Sequence, residues 1–320
     1  MRVLVVGAGA IGGYFGGRLL QAGRDVTFLV RPRRAAELAD SGLIIKSPLG
    51  DVVLRSPPTI LAENVRQPFD LILLSCKAYD LAPAMHCFAA AVGHETLILP
   101  LLNGMRHLDL LDERFGRSRV LGGQCVIAAT LDAQRVIVHL NNLHTLSFGQ
   151  RDGGICDRIR AIDHTLAKAG FEARLSEHIV QEMWDKWVFL ATLAGVTCLM
   201  RASIGDIMAS PGGRELMLSV LEECRAIAGA EGHAPQEASL EQARTALTAP
   251  GSPLTASMLR DVEGNAPVEA DHIVGDLLRR RIPAHEDRGE RSMLAAAYTH
   301  LKAYETRRAR ERVLAPHAGK

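Results

Sequence analysis

The apolar positions change rhythm about halfway along the chain. In the first half, short continuous apolar runs recur at Val3–Val6, Val26–Val30, Leu71–Ser75, Leu97–Leu99 and Val120–Ala128. Runs of this kind, apolar at every position, predict strands buried on both faces. Between them Ala10–Ala22, Arg33–Asp40, Leu81–Ala91 and Met105–Phe115 read as helices. This alternation predicts an α/β domain, a mostly parallel sheet with helices on both faces. Leu43–Lys46 and Val52–Arg55, joined by "SPLGD", predict an inserted hairpin, and residues 135–149 predict another pair of short strands near the sheet edge.

From about Ser176 the strand patterns vanish. Apolar residues then recur at helical spacing over His178–Met200, Gly213–Ala230, Leu254–Val262 and Val268–Arg280, and a last helix is expected at Ser292–Arg307. The expected division is residues 1–175 as a nucleotide-binding domain and 176–320 as an all-α domain carrying substrate and catalytic groups. A single core stops growing near about 250–300 residues, so two domains also suit the length.

The first strand runs into Gly7-Ala8-Gly9-Ala10-Ile11-Gly12 and then into a helix. Gly7 permits a tight turn, Gly9 lets backbone approach a pyrophosphate, and Gly12 lets helix and strand pack closely. The helix start, at Ala10 and Ile11, offers N–H groups and a positive dipole end to phosphates. Strand, turn, helix and a second strand at Val26–Val30 together give the Rossmann-type context in which this spacing is informative. The alternative is a glycine-rich helix–sheet contact that holds no ligand.

An NAD site would place an acid about 20 positions beyond the glycines, for the ribose 2′-hydroxyl. This chain has "FLVRPRR", with Arg31 at that place and Arg33 and Arg34 behind it. A guanidinium holds a 2′-phosphate where a carboxylate repels it, so NADPH/NADP+ is the expected cofactor and Arg31 the expected contact. Arg33 and Arg34 read equally well as a solvated helix start.

Further stretches follow in order: Lys77 in "LLSCKAYDL", Asn103 in "LPLLNGM", Lys186 in "MWDKW", Ser257 in "TASMLRDVEGN" and Glu269 in "APVEADHIVGDLL". This series, from residue 1 to roughly Glu305, resembles the ketopantoate reductases (2-dehydropantoate 2-reductases). The resemblance implies a Rossmann-type N-terminal domain, a helical C-terminal domain and an active site in the cleft between them. It implies NADPH-dependent reduction of ketopantoate to pantoate in pantothenate biosynthesis. It also implies roles: Lys186 catalytic, Asn103 at the nicotinamide–substrate junction, Lys77 on the cofactor, and Ser257 and Glu269 on the substrate. A lysine ammonium suits such chemistry, since it stabilises negative charge on a carbonyl oxygen and can protonate it. Taken alone, Lys186 reads as an amphipathic lysine at a helix edge, Glu269 as a first-turn acid and Ser257 as a helix cap or solvated serine.

The sequence departs from that family at the substrate wall. Asparagines usual four and eight positions after the lysine are here Leu190 and Ala194, on the same helix face. Leu102 and Asp80 stand where glutamine is often found, and "RRRIPAHED" is a shortened stretch. A site that has lost its hydrogen-bonding partners discriminates differently among polar substrates. Two alternatives therefore stand beside ketopantoate: a paralogous dehydrogenase for a more apolar keto or hydroxy acid, and a non-catalytic NADP(H)-binding sensor.

Composition adds little to this picture. A formal net charge of +1 gives no reason to expect nucleic acid or a membrane surface as partner. The six cysteines are scattered without a CxxC and read as reduced, mostly buried thiols. The twelve histidines form no ligand-spaced cluster, so no metal is expected. The chain opens on a strand-like run without a signal peptide, which predicts a cytoplasmic protein. A homodimer is expected from the resemblance alone.

Overall fold

The computed structural model describes residues 1–281 and 292–314. The chain divides into two compact units. One comprises Met1–Asn103 and His107–Val180, the other Gly104–Arg106 and the chain from Gln181 onward.

The strands of the first unit are β1 (Arg2–Val6), β2 (Asp25–Leu29), β3 (Leu43–Lys46), β4 (Val52–Leu54), β5 (Thr59–Ile60), β6 (Leu71–Leu74), β7 (Leu97–Pro100), β8 (Gly122–Leu131), β9 (Ile137–Gly149) and β10 (Glu172–Leu175). Among the described residues, one sheet has the order β5-β2-β1-β6-β7 and every pairing in it is parallel. Its central strands are buried throughout, from Val3 to Val6 and from Leu71 to Leu74, which is why they are apolar at every position. The α/β expectation is met by this sheet and the helices Ala10–Gln21, Pro32–Ser41, Leu81–Phe88 and Arg106–Phe115 of its connections.

A second sheet orders β10-β9-β3-β4, with β8 antiparallel to β9. Two expectations change here. The run at Val120–Ala128 does not extend the parallel sheet; Val120 keeps an isolated bridge to Ile98, and β8 turns away to pair with β9. Residues 135–149 do not form two short strands but one long one. Ile127 pairs with His144 and Ala129 with His139, so the polar middle of β9 bulges outward without ending the strand. The two-residue β5 and the four-residue β10 are too short for a periodic signal.

The second unit is helical. The helix Ile179–Met200 is buried continuously from Ala191 to Cys198, as a helix surrounded by others must be. Around it stand Ile204–Ala209, Gly213–Ala230, Glu237–Leu247, Ser257–Glu263 and Met293–Leu314. Two of these had no clear periodic signature. Ile204–Ala209 is started by a capping box between Ser203 and Asp206, and Glu237–Leu247 buries a narrow stripe of Leu240, Ala243 and Leu247. The helix expected over Val268–Arg280 starts later. Val268 and Glu269 precede a π-helical turn, Asp271–Gly275, that runs on as Asp276–Arg279. The last helix, Met293–Leu314, runs beyond its expected end at Arg307. Most of "RRRIPAHED" lies outside the described residues.

Cys125, Cys198 and Cys224 are buried, and desolvation pushes the thiols of Cys198 and Cys224 up to about 12. Cys87 and Cys156 are exposed, contrary to the expectation of general burial. No described helix is long and apolar enough to cross a membrane.

Candidate active site

In the parallel sheet, β1 leads to β2 on one side, and the chain later returns to lay β6 on the other side of β1. Such a switch in strand order opens a crevice beyond the carboxyl ends of the strands, where ligands bind in open α/β sheets. The glycine turn follows β1 at that crevice. Gly7 adopts φ +94°, a left-handed conformation that suits glycine, and its N–H donates to the Leu29 carbonyl at 3.0 Å. A Cβ at Gly12 would stand 2.0 Å from Ser75 Oγ and 2.3 Å from the Gly7 carbonyl oxygen. A Cβ at Gly9 would meet nothing within 4 Å. The turn is therefore closed against the sheet at Gly12 and open at Gly9. The helix starting at Ala10, Ile11 and Gly12 has no acid in its first turn, so its unsatisfied N–H groups suit an anion. These residues fit the pyrophosphate of a dinucleotide.

Two side chains that sequence reasoning missed hold the turn in shape. Ser75 Oγ donates to the Val6 carbonyl at 2.9 Å, and Arg34 Nε donates to the Ala8 carbonyl at 3.2 Å. The hydroxyl directly after the apolar run "LILL" was the available signal for Ser75. Arg34 is also paired with Glu37 at 3.1 Å, and burial lowers its pKa despite that partner. Arg33, almost fully exposed, pairs with the same Glu37. Both are thus tied to their own helix.

Arg31 behaves differently. It caps the helix Pro32–Ser41 by position, with an exposed side chain, and its Nη2 donates to Asp80 Oδ1 at 2.7 Å. That hydrogen bond, followed by the charge of the same carboxylate, raises the Arg31 pKa further above its ordinary value. Asp80 ends a 3-10 turn, Ala78–Asp80, that begins right after Lys77. Lys77 is half-buried beyond β6 and Asn103 is half-buried beyond β7. Because β1, β2, β6 and β7 run parallel, the glycine turn, Arg31, Lys77 and Asn103 all lie at one edge of one sheet.

In the second unit, Lys186 is half-buried on the helix Ile179–Met200, with the buried Trp184 and Trp187 two positions before it and one after. The two indoles meet at 4.9 Å, Trp184 stacks on His233 at 5.1 Å, and the Arg280 guanidinium lies within 5.7 Å of both. Trp187 Nε1 donates to the Ile273 carbonyl at 2.8 Å, fastening the π-helical turn to the lysine's helix. Gly104, at φ +77°, belongs to the same packing: a Cβ there would lie 2.5 Å from the His272 carbonyl oxygen. Glu269 is buried just before that turn. His272, three residues on, has its Nε2 buried without a hydrogen-bond partner, and desolvation lowers its pKa although Glu269 works the other way. Ser257 is exposed at the start of the helix Ser257–Glu263, beside Ala256, whose N–H donates to Thr197 Oγ1 at 3.4 Å. The stretches carrying Ser257 and Glu269 are therefore both attached to the helix that carries Lys186.

Residues 3–153 match the model of the ketopantoate reductase PanE/ApbA family, and residues 178–305 match its C-terminal counterpart. The chain belongs to the ketopantoate reductase family. An uncharacterized oxidoreductase of Bacillus subtilis is 35% identical over 95% of this chain and 99% of its own. A 2-dehydropantoate 2-reductase of Nostoc is 27% identical over 86% of this chain and 87% of its own. Among solved structures, a 2-dehydropantoate 2-reductase from Methylococcus capsulatus superposes with TM-score 0.81 at 26% identity, covering 96% of this chain and 98% of that one. A D-mandelate dehydrogenase shares the fold at 19% identity with TM-score 0.83, covering 97% and 100%.

Membership makes the protein an oxidoreductase, and it focuses attention on Leu190 and Ala194. Leu190 is half-buried and Ala194 only 3% exposed. Gly195, next to it, faces Leu294 and Ala297 of the last helix. The position eight residues, about two helical turns, beyond Lys186 is thus packed rather than open, and a polar side chain there would need its own partners.

Proposed function

We propose that this chain is an NADPH-dependent reductase of 2-keto acids, with ketopantoate as the default substrate and pantothenate biosynthesis as its setting. What carries the nucleotide half is the turn closed at Gly12 and open at Gly9, at the strand-order switch. Ala10, Ile11 and Gly12 would take the pyrophosphate through backbone N–H groups, Arg31 the 2′-phosphate, and Lys77 and Asn103 the parts of the cofactor nearer the reacting carbon. When bound, the reduced nicotinamide supplies hydride to the ketone carbon.

The residues of this chain then manage the charge. As the carbonyl oxygen gains negative charge, the Lys186 ammonium stabilises it and delivers a proton, completing the hydroxyl group; Lys186 regains its proton from solvent. Ser257 and Glu269 would hold the substrate's polar groups.

A second reading keeps the chemistry and changes the substrate to a more apolar 2-keto acid. Leu190 and Ala194 favour it, since neither can hydrogen-bond a polar substrate. One assay separates the readings: NADPH oxidation with ketopantoate and with a panel of aliphatic and aromatic 2-keto acids. Lys186→Ala should lower kcat by about 10²–10⁴-fold on whichever substrate is turned over, with NADPH still bound. An unchanged rate would remove Lys186 from the chemistry. Tight NADPH binding with no oxidation by any carbonyl compound would instead favour a sensor.

A further inference from the structure

Arg31 has an acidic partner that its own strand does not supply. The second strand of an NAD site ends in a carboxylate for the ribose 2′-hydroxyl, whereas β2 here is followed by Arg31. Yet a carboxylate reaches the same place from the connection after β6. Asp80 Oδ1 accepts from Arg31 Nη2 at 2.7 Å, across 49 positions of sequence. Arg33 and Arg34 share Glu37, so of these three arginines only Arg31 is paired outside its own helix and its glycine turn.

We propose that Asp80 is a second cofactor-specificity residue, one that narrows the preference for the 2′-phosphorylated nucleotide and brings NADH within working range. This rests on the reading of Arg31 as the 2′-phosphate contact. A 2′-phosphate carries close to two negative charges. It must either take Arg31 from Asp80 or share the guanidinium with it, and in both cases it stays beside the carboxylate. A 2′-hydroxyl meets neither cost, and it is itself a donor that a carboxylate can accept. The Arg31 side chain is 74% exposed and that of Asp80 38%, so the pair is held weakly enough for a phosphate to compete. The effect is therefore graded rather than absolute.

The test is calorimetric binding of NADP+ and NAD+, without any keto acid, to the full chain and to Asp80→Asn, Asp80→Gln and Arg31→Gln. Thermal melting of each variant checks folding, and both positions are on the surface. Removing the carboxylate should tighten NADP+ by about fivefold while NAD+ stays equal or weakens. Arg31→Gln should weaken NADP+ by tenfold or more, at about that order, and leave NAD+ little changed. If Arg31→Gln acts so but both Asp80 variants leave the NADP+/NAD+ ratio unchanged, the role of Asp80 is overturned and the 2′-phosphate reading stands. If Arg31→Gln leaves the ratio unchanged, both are overturned.

Discussion

The turn after β1 is closed at Gly12 by contacts that admit no side chain, whereas the helix carrying Lys186 is held by the side chains it buries. Gly12 has a serine hydroxyl and a backbone carbonyl within 2.3 Å of where a methyl group would go. Leu190 is half-buried and Ala194 is enclosed, so what these positions hold is set by the side chains packed around them. The first region has no room for a side chain at Gly12 and open room at Gly9, whereas the second is filled by its own side chains.

Single methyl groups break this comparison most sharply. Gly12→Ala must move the Gly7 carbonyl or Ser75, so it should destabilise the first unit by about 3 kcal/mol or more and abolish nucleotide binding. Gly9→Ala has open space and an ordinary extended backbone (φ −87°, ψ −164°), so its unfolding free energy should stay within about 0.5 kcal/mol of the parent. It should nonetheless lose nucleotide affinity, because the methyl occupies the open side of the turn. Denaturant melts and calorimetry of the two variants separate these outcomes; equal stability loss in both would sink the distinction.

The double variant Leu190→Asn, Ala194→Asn probes the other region. If these two apolar residues exclude ketopantoate, kcat/KM for it should rise by about tenfold or more. Because Ala194 is buried, the same variant should lose about 1–3 kcal/mol of stability unless the new amide finds a partner. No gain with any polar 2-keto acid would show that these positions do not select the substrate.

The smallest effect concerns pH. Burial lowers the pKa of His272, and likewise of His144, His233 and His300, below the ordinary value near 6.5. The unfolded chain therefore takes up these protons first as pH falls, and stability declines from about pH 6.5 downward toward the lowered folded values. Above that window the imidazoles are neutral in both states and contribute no slope. His272→Gln should make this decline shallower, by under about 1 kcal/mol between pH 7.5 and 5.5, in denaturant melts. An identical slope would mean that His272 is not the buried base it looks to be.

Much of this was legible one residue at a time. The parallel strands announced themselves because strands buried on both faces must be apolar at every position. The glycine turn did so because a left-handed φ at Gly7 and close packing at Gly12 leave few other residues usable. The long helix around Lys186 was visible from its apolar length. Less was visible where pairing is decided at a distance. Residues 120–149 contain good strand sequences, but nothing local says that β8 leaves the parallel sheet or that β9 runs on through Leu140–Leu143. The π-helical turn after Glu269 is fastened by bonds from distant residues, Trp187 to Ile273 and Tyr298 and Lys302 to Asp271.

The sequence by itself determined a dinucleotide-type turn, an arginine where an NAD site has an acid, and a lysine in a helical second half, because each depends on local backbone limits or on one residue's chemistry. Only the tertiary structure decided that Ser75 and Arg34 brace the turn, that Ala194 is enclosed, and that Asp80 meets Arg31. Those are contacts between segments brought together by strand order and helix packing, and no local pattern encodes which distant side chain will arrive.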